Sequence, residues 1–373
     1  MKKEDNIVWT IIITVILIFF IVGVIYMTVC VGKFEIVQML SKERKWLNFL
    51  ISLTIVGIVF VLIGYTMSFV NAVTILLNEV MFFLLAGVGM RIVRHISGKT
   101  FTVNWQGWIA IVGSVIYLVI GYYLCHHVWR TDYTLHTEKK VGNLKIAMFA
   151  DSHIGAVFDG NGFAEHIKTI EQQNPDIVLI AGDFVDDWSN KADLQTACKA
   201  LGNMKTKYGV WLSYGNHDEG FFNHRDFTAE ELTKTIKESG IHLLVDEYEL
   251  IDDRFYVVGR KDSSLGQRKD IHSLLENVDK NKYIIVLDHQ PNDYDNEANS
   301  CADLVLSGHT HGGQLFPITY VGEWFHLNDR TYGYERRSKT DFIVTSGIAD
   351  WAIKFKTGTK SEYVVIELKD NFI

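Results

Sequence analysis

Five short polar motifs follow one another along the last two-thirds of this chain: Asp151-Ser152-His153, Gly182-Asp183, Gly215-Asn216-His217-Asp218, a lone His289, and Gly308-His309-Thr310-His311. Each stands where an apolar run ends. Their donors are carboxylate oxygens, imidazole nitrogens and one amide oxygen, with no thiolate. That set suits Mn, Fe, Zn, Co or Ni and argues against a structural zinc site, which is usually built on cysteines. Seven candidates, Asp151, His153, Asp183, Asn216, His289, His309 and His311, are more than one ion needs. With one carboxylate shared, they fit two divalent ions about 4 Å apart, the arrangement of two-metal hydrolysis.

The elements that must position these residues are legible in the runs before them. Residues 144–150, 177–181, 210–214, 283–287 and 304–306 are continuous, apolar and rich in β-branched or aromatic residues, as buried strands are. Amphipathic stretches at 163–173, 191–204 and 229–239 read as helices between the early strands. The last opens on Thr228-x-x-Glu231, a capping box, and Gly240 sits where a C-terminal cap belongs. Segments 243–251, 255–259, 342–345 and 363–368 lack intervening helices and read as antiparallel strands. The result is a layered α/β domain with mixed sheets. Motifs at the C-terminal ends of its strands converge on one rim, where α/β domains hold their sites. Residues two apart on extended backbone share a side, so Asp151 and His153 can face one ion.

The order Asp-x-His, Gly-Asp-x-x-Asp, Gly-Asn-His-Asp, His, Gly-His-x-His resembles the calcineurin-like metallophosphoesterase superfamily, over residues 144–368 and with all five motifs intact. The resemblance implies a four-layer α/β/β/α sandwich with mixed sheets. It implies that Asp151, His153 and His311 hold a first metal, that Asn216, His289 and His309 hold a second, and that Asp183 bridges them. His217 would stabilise the transferring phosphoryl group and protonate the leaving oxygen, with Asp186 orienting it. Two divalent ions, Mn, Fe or Zn, are the implied cofactors. A bridging hydroxide would attack the phosphorus. In the Ser/Thr protein phosphatase branch the second motif continues Asp-Arg-Gly and the third ends in Glu. Here Asp186 is followed by Asp187-Trp188 and the third motif ends in Asp218, which argues against a phosphoprotein substrate. The run from Gly308 to Pro317 is similar to that of membrane-attached bacterial phosphoesterases, which cut phosphodiester or pyrophosphate bonds, lipid-linked nucleotides among them.

The first 130 residues are of another kind. They hold 10 Lys+Arg and 5 Asp+Glu, net +5; the whole chain is −8, which leaves −13 for the remainder. An acidic soluble part with no basic stripe opposes a nucleic-acid partner. Apolar runs at 7–29, 46–66, 72–91 and 107–128 each have the length that crosses a bilayer as a helix. The first is read as retained: Glu4 and Asp5 blunt its basic start, and no clear cleavage site follows. Four helices in residues 1–130 thus make an all-α membrane domain, with 131–143 a polar tether and 144–373 the hydrolase domain. Loops 30–45 and 91–106 hold seven Lys+Arg against five on the other side, so the positive-inside rule puts both termini and the hydrolase domain outside the cytoplasm. The expected partners are the lipid bilayer and a phosphorylated small-molecule or lipid-linked substrate. A phosphomonoesterase, and a membrane sensor that binds metal or nucleotide without turnover, are the alternatives.

Other residues have plainer readings beside functional ones. Glu79, with Asn78, falls inside the third run, where a carboxyl is costly; it is expected to bind a neighbouring Ser, Thr or Asn. His126 and His127 read as interfacial, His224 as a loop residue, and His136, His166, His242 and His272 as surface or packing residues. Phe221-Phe222 and the aromatic stretch 315–325 read either as an apolar wall or lipid-touching patch, or as a packed hairpin. Four cysteines make no disulfide framework.

Overall fold

A computed structural model describes residues 3–220 and 224–371. It divides into two compact units, Met1–Ile120 and Gly121–Ile373. The first unit is helical: α1 (Lys3–Val31), α2 (Glu35–Ser41), α3 (Lys45–Thr66), α4 (Phe69–Ser97) and α5 (Trp105–His126), whose last turn belongs to the second unit. Helices α3, α4 and α5 are long and apolar enough to cross a membrane. Leu17–Val31 and Glu35–Ser41, bent by 84°, make a fourth candidate only if the pair is one span. So three of the four expected spans stand on their own. The stretch 30–45 is not all loop, because α2 occupies part of it. Helix α4 runs on to Ser97 and takes in Arg91 and Arg94, which were expected in a loop.

Buried Met27, Cys30, Val56, Leu76, Phe83 and Ala110 form the small apolar centre of this unit. Side-chain amides tie it. Asn48 donates to Gly32 O at 3.0 Å and Gln106 to Phe83 O at 3.1 Å. Asn78 donates to Ser114 Oγ at 2.7 Å, and Glu79 shares that serine, in keeping with its plainer reading. Most of the apolar surface points outward, with Val61, Leu62 and Tyr65 all exposed. Water would penalise that surface and lipid would not.

The second unit holds two six-stranded sheets. One has the order β1-β12-β2-β3-β4-β5, with β1 (Val128–Thr137), β2 (Leu144–Phe149), β3 (Ile177–Ala181), β4 (Val210–Ser213), β5 (His242–Leu244) and β12 (Ser361–Asp370). The other has the order β10-β11-β9-β8-β7-β6, with β6 (Glu247–Ile251), β7 (Phe255–Gly259), β8 (Tyr283–Leu287), β9 (Leu304–Ser307), β10 (Gly333–Arg337) and β11 (Thr340–Val344). Period-2 alternation divides the side chains. Leu144, Ile146, Met148, Ile177 and Leu179 meet Val257, Ile285, Leu287 and Leu306 between the sheets. Ala147, Phe149, Val178 and Ile180 face outward onto helices α6 (Gly160–Glu171), α7 (Lys191–Gly202) and α8 (Ala229–Glu238). On the far side, Tyr256, Val258, Ile284 and Val286 pack against α9 (Ile271–Leu274) and α10 (Tyr294–Asn299). The layers are therefore α/β/β/α, as expected. The capping box at Thr228 and Glu231 forms with both of its bonds.

The tether reading of 131–143 is corrected. Residues 128–137 form β1, an edge strand that pairs in parallel with β12 over ten residues, from Val128 opposite Ser361 to Thr137 opposite Asp370. The stretch looked polar because only one face is covered; on that face Leu135 is buried in the inter-sheet core. Two further readings change. Residues 243–251 are split by a turn, so that β5 ends one sheet and β6 ends the other. The later strands are mixed: β6–β7 and β10–β11 are antiparallel, while β7–β8, β8–β9 and β9–β11 are parallel.

Leu135→Ala, in the full chain in detergent, should lower stability by about 2–4 kcal/mol, the cost of a buried leucine truncation. Thr134→Ala, on the exposed face of the same strand, should stay within about 0.5 kcal/mol. Equal unfolding midpoints for the two variants would return residues 128–137 to the status of a tether.

Candidate active site

The five motifs occupy loops at the ends of β2, β3, β4, β8 and β9, on one rim of the two sheets. The loops are laced together through their backbones. Asp151 N donates to Gly182 O at 3.0 Å, His153 N to Asp183 O at 3.1 Å, and Gly308 N to His289 O at 3.0 Å. Asp151, His153, Asp183, His309 and His311 all have positive φ, between 37° and 70°. Left-handed backbone at a non-glycine residue costs of order 1–3 kcal/mol and gathers where a site over-determines it. Close approach also dictates two glycines. A Cβ at Gly182, whose φ is +83°, would lie 2.6 Å from His289 Nδ1, and one at Gly308 would collide with the Asp151 carboxylate.

Three groups of donor atoms result, each with its members within 4.8 Å of one another: Asp151, His153 and His311; Asp183, His289 and His309; and His153, Asp186 and His217. Asp183 Oδ2 faces the first two, 3.5 Å from His153 Nε2 and 3.1 Å from His289 Nε2. Asn216 Oδ1 is 2.9 Å from His309 Nδ1, which brings the seventh candidate into the second group. Asp186 stands between two imidazoles, 3.6 Å from His153 Nδ1 and 3.5 Å from His217 Nδ1. All nine residues singled out in the sequence thus meet in one place.

The residues fit a pair of cations. Both ring nitrogens of His153 and Nε2 of His289 are buried without a hydrogen-bond partner among the described residues. Such nitrogens are rare unless a ligand claims them. His289 Nδ1 faces Ala181 O at 2.8 Å, which leaves Nε2 free to coordinate. Burial drives His153 down to about 4, and burial followed by the His289 charge drives His309 down to about 3. Both rings are neutral near pH 7, the form that binds metal. Burial alone would raise Asp183, but the His289 charge and hydrogen bond hold it well below the usual carboxylate range. His217 goes the other way: burial would lower it, yet the Asp186 hydrogen bond and the Asp183 charge raise it.

Two residues that sequence reasoning left without a role complete the site. Asp218, fully buried, accepts from Asp183 N at 2.9 Å, Phe184 N at 2.9 Å, Val185 N at 3.1 Å and Gly215 N at 2.7 Å. It pins the loop after β3 to the loop after β4. Its place as the last letter of the third motif was the available signal. Asp350 lies outside every motif, in the loop after β11. Its Oδ1 is 3.0 Å from His311 Nδ1, with Lys356 Nζ 3.6 Å from Oδ2. A carboxylate behind a metal-ligating imidazole orients the ring and raises its basicity. Only the fold brings residue 350 to residue 311.

Of the remaining expectations, His126 stacks on Tyr122 at 3.7 Å, His224 on exposed Trp188 at 4.8 Å, and His242 on Trp211 at 4.0 Å. Phe221 and Phe222 lie outside the described residues. The cysteines are free, as expected.

The family model for calcineurin-like phosphoesterases matches residues 144–313. An uncharacterized metallophosphoesterase of Aquifex aeolicus is 34% identical over 198 residues, 51% of this chain and 72% of that protein. An uncharacterized metallophosphoesterase of Campylobacter jejuni is 30% identical over 233 residues, 61% of this chain and 59% of that protein. A protein of Danio rerio named transmembrane protein with metallophosphoesterase domain is 29% identical over 259 residues, 64% of this chain and 56% of that protein. The chain therefore spans less than two-thirds of the length of the last two.

Asp350→Ala should weaken Mn²⁺ binding about 10–100-fold, as loss of a carboxylate behind a ligating histidine does. Calorimetric titration of the metal-stripped full chain reads this directly. Unchanged affinity would show that His311 is oriented without Asp350.

Proposed function

The chain belongs to the calcineurin-like metallophosphoesterase family, and from that membership we propose that it is a membrane-anchored dimetal phosphohydrolase that cuts a phosphodiester or pyrophosphate bond. The observation that carries this reading is Asp183 Oδ2, within 3.5 Å of His153 and 3.1 Å of His289, flanked by one complete donor group on each side. Asp151, His153 and His311 would hold one ion, and Asn216, His289 and His309 the other, with Asp183 shared. Bound there, a pair of Mn, Fe or Zn ions would supply a hydroxide near neutral pH and neutralise charge on the phosphate oxygens.

The chain's own residues do the rest. Asp218 and the laced loops hold the carboxylates in place before substrate arrives, so little reorganisation is needed at the moment of reaction. His217, raised by the Asp186 hydrogen bond and the Asp183 charge, holds its proton more firmly than a free imidazole. It would place its positive charge against the phosphate and give its proton to the departing oxygen. Exposed Trp351, its ring 5.4 Å from that of His217, offers an apolar surface at the mouth of the site. Helices α3, α4 and α5, each long and apolar enough to cross a membrane, support an anchor, and the bias of Lys and Arg in the loops supports an extracytoplasmic hydrolase unit. An acidic hydrolase unit held on a bilayer supports a lipid-linked or small nucleotide substrate over a nucleic acid.

Full-length protein with Mn²⁺ should turn over bis-p-nitrophenyl phosphate faster than the monoester; a monoester preference would make it a phosphatase. Asp183→Asn should lower kcat at least about 100-fold, as removal of a central charge-stabilising group does. Retention of most of the wild-type rate would sink the shared-carboxylate mechanism.

Protonated His217 is the working form, so kcat should fall as pH rises through its raised pKa. Asp186→Asn removes the charge that raises it, and the alkaline limb of the profile should move to lower pH. An unmoved limb would assign that titration to another group.

A further inference from the structure

Between the fifth motif and β10 the chain makes a lobe, residues 315–327, around a short helix α11 (Val321–Trp324). Phe316, Ile318, Tyr320, Trp324, Phe325 and Leu327 are each 51–71% exposed on it. The lobe is well tied at its base. Glu323, the one formally charged residue in the stretch, accepts from Thr331 N at 2.5 Å, and Thr310 Oγ1 donates to Thr331 O at 2.6 Å. Phe325 N donates to Val321 O at 3.1 Å. Thr319 is buried and Glu323 is tied to the base, while the aromatic rings face out with His326, the reverse of a hairpin folded onto its own domain. An exposed apolar patch held in this way marks an interaction surface.

The attachment of the lobe bears on what covers it. Phe316 N donates to Thr357 Oγ1 at 3.0 Å, and the neighbouring Lys356 N donates to Gly121 O at 3.0 Å. Ser361 Oγ donates to Cys125 O at 2.7 Å, and the ring of Tyr122 lies 6.3 Å from that of Phe355. The segment 355–361 therefore joins the base of the lobe to the last turn of α5, all within the second unit. Helix α5 has 22 residues and the composition of a membrane span, so its last turn lies at a bilayer surface. Tyr122 and Tyr123 are exposed on that turn and Trp129 follows, the residue types that collect at lipid headgroup level. A lobe tied to this turn by two consecutive residues lies at the same level.

We propose that lobe 315–327 dips into the bilayer beside α5 and that the site draws a phosphate-bearing lipid directly from the membrane. His309 and His311 stand seven and five residues before Phe316, at the root of the lobe. A phosphate at headgroup depth next to the lobe therefore reaches the donor groups without leaving the membrane surface. The substrate half of this proposal rests on the phosphohydrolase reading; the insertion of the lobe does not.

The experiment uses the full chain reconstituted in phosphatidylcholine–phosphatidylglycerol vesicles, in a Cys301→Ser background. Phe325→Cys and, as a distant exposed control, Glu276→Cys each carry an environment-sensitive NBD dye. The dye at 325 should be blue-shifted and quenched by doxyl-labelled lipids, and the dye at 276 neither. Water-like emission at 325 would overturn insertion. A blue shift without lipid quenching would also overturn it and assign the patch to a protein partner.

In parallel, Trp324→Glu with Phe325→Glu is assayed on soluble bis-p-nitrophenyl phosphate and on phosphatidyl-p-nitrophenol embedded in the same vesicles. Turnover of the lipid should fall about tenfold or more, the scale of losing a buried aromatic contact, with soluble turnover within about twofold. An equal fall on both substrates would overturn the lipid-delivery role. If wild type cuts neither substrate, the phosphohydrolase reading fails, and the dye still decides the lobe.

Discussion

Four backbone amides converge on one buried carboxylate, and the site depends on that convergence. Asp218 accepts from Asp183, Phe184, Val185 and Gly215, and so joins the ends of β3 and β4. Burial and the Asp183 charge push its carboxyl up to about 7, and the Gly215 and Val185 amides offset part of that rise. Four bonds to one acceptor hold the two loops together, and that matters because the neighbouring backbone is strained. Asp151, His153, Asp183, His309 and His311 all take left-handed conformations, and each would relax away if its loop were free. The sandwich beneath supplies the rigid floor, with Ile146, Leu179, Ile285 and Leu306 wholly buried between the sheets.

Strain and burial serve the same end. Carboxylates and imidazoles this close, out of water, strongly perturb one another. Asp183 is held well below the usual carboxylate range beside His289, while burial keeps His153 and His309 neutral. Buried neutral imidazoles with unclaimed nitrogens, beside a carboxylate that stays charged, make a cation site. Asp350 extends the arrangement outward from His311 to Lys356, and Cys125 Sγ, in the last turn of α5, lies 3.7 Å from its Oδ2. The imidazole that completes the first donor group is thus held by a carboxylate that also touches the end of a candidate membrane span.

The helical unit is built differently, with α3, α4 and α5 long and apolar enough to cross a membrane. Its centre is small, its outward face is apolar, and its few internal polar ties use amide side chains. In lipid, association rests on packing and hydrogen bonds because the hydrophobic effect between helices is absent. The acidic second unit, by contrast, hides most of its described apolar residues in three layers of core and leaves those of lobe 315–327 exposed.

What was legible in the sequence was whatever depends on local order. Continuous apolar runs foretold β3, β7 and β8 at their observed bounds, because a strand buried on both faces has no choice of composition. The nine residues singled out at the ends of such runs come together on one rim, where Asp218 and Asp350 join them. The edge strand β1 escaped because half of its side chains face water, and β10 because it carries Glu335, Arg336 and Arg337, with Tyr334 and Arg336 on its exposed face. The pairing of β1 with β12, the split of β5 from β6 into different sheets, and the meeting of Asp350 with His311 escaped for another reason. Each joins residues with no common local pattern, and only the closing of the sandwich decides which of them become neighbours. Composition by itself determined which chemistry the rim can hold. Tertiary structure decided which carboxylate stands behind which imidazole, and that the aromatic lobe is tied to the end of α5, because such contacts arise from packing and not from sequence spacing.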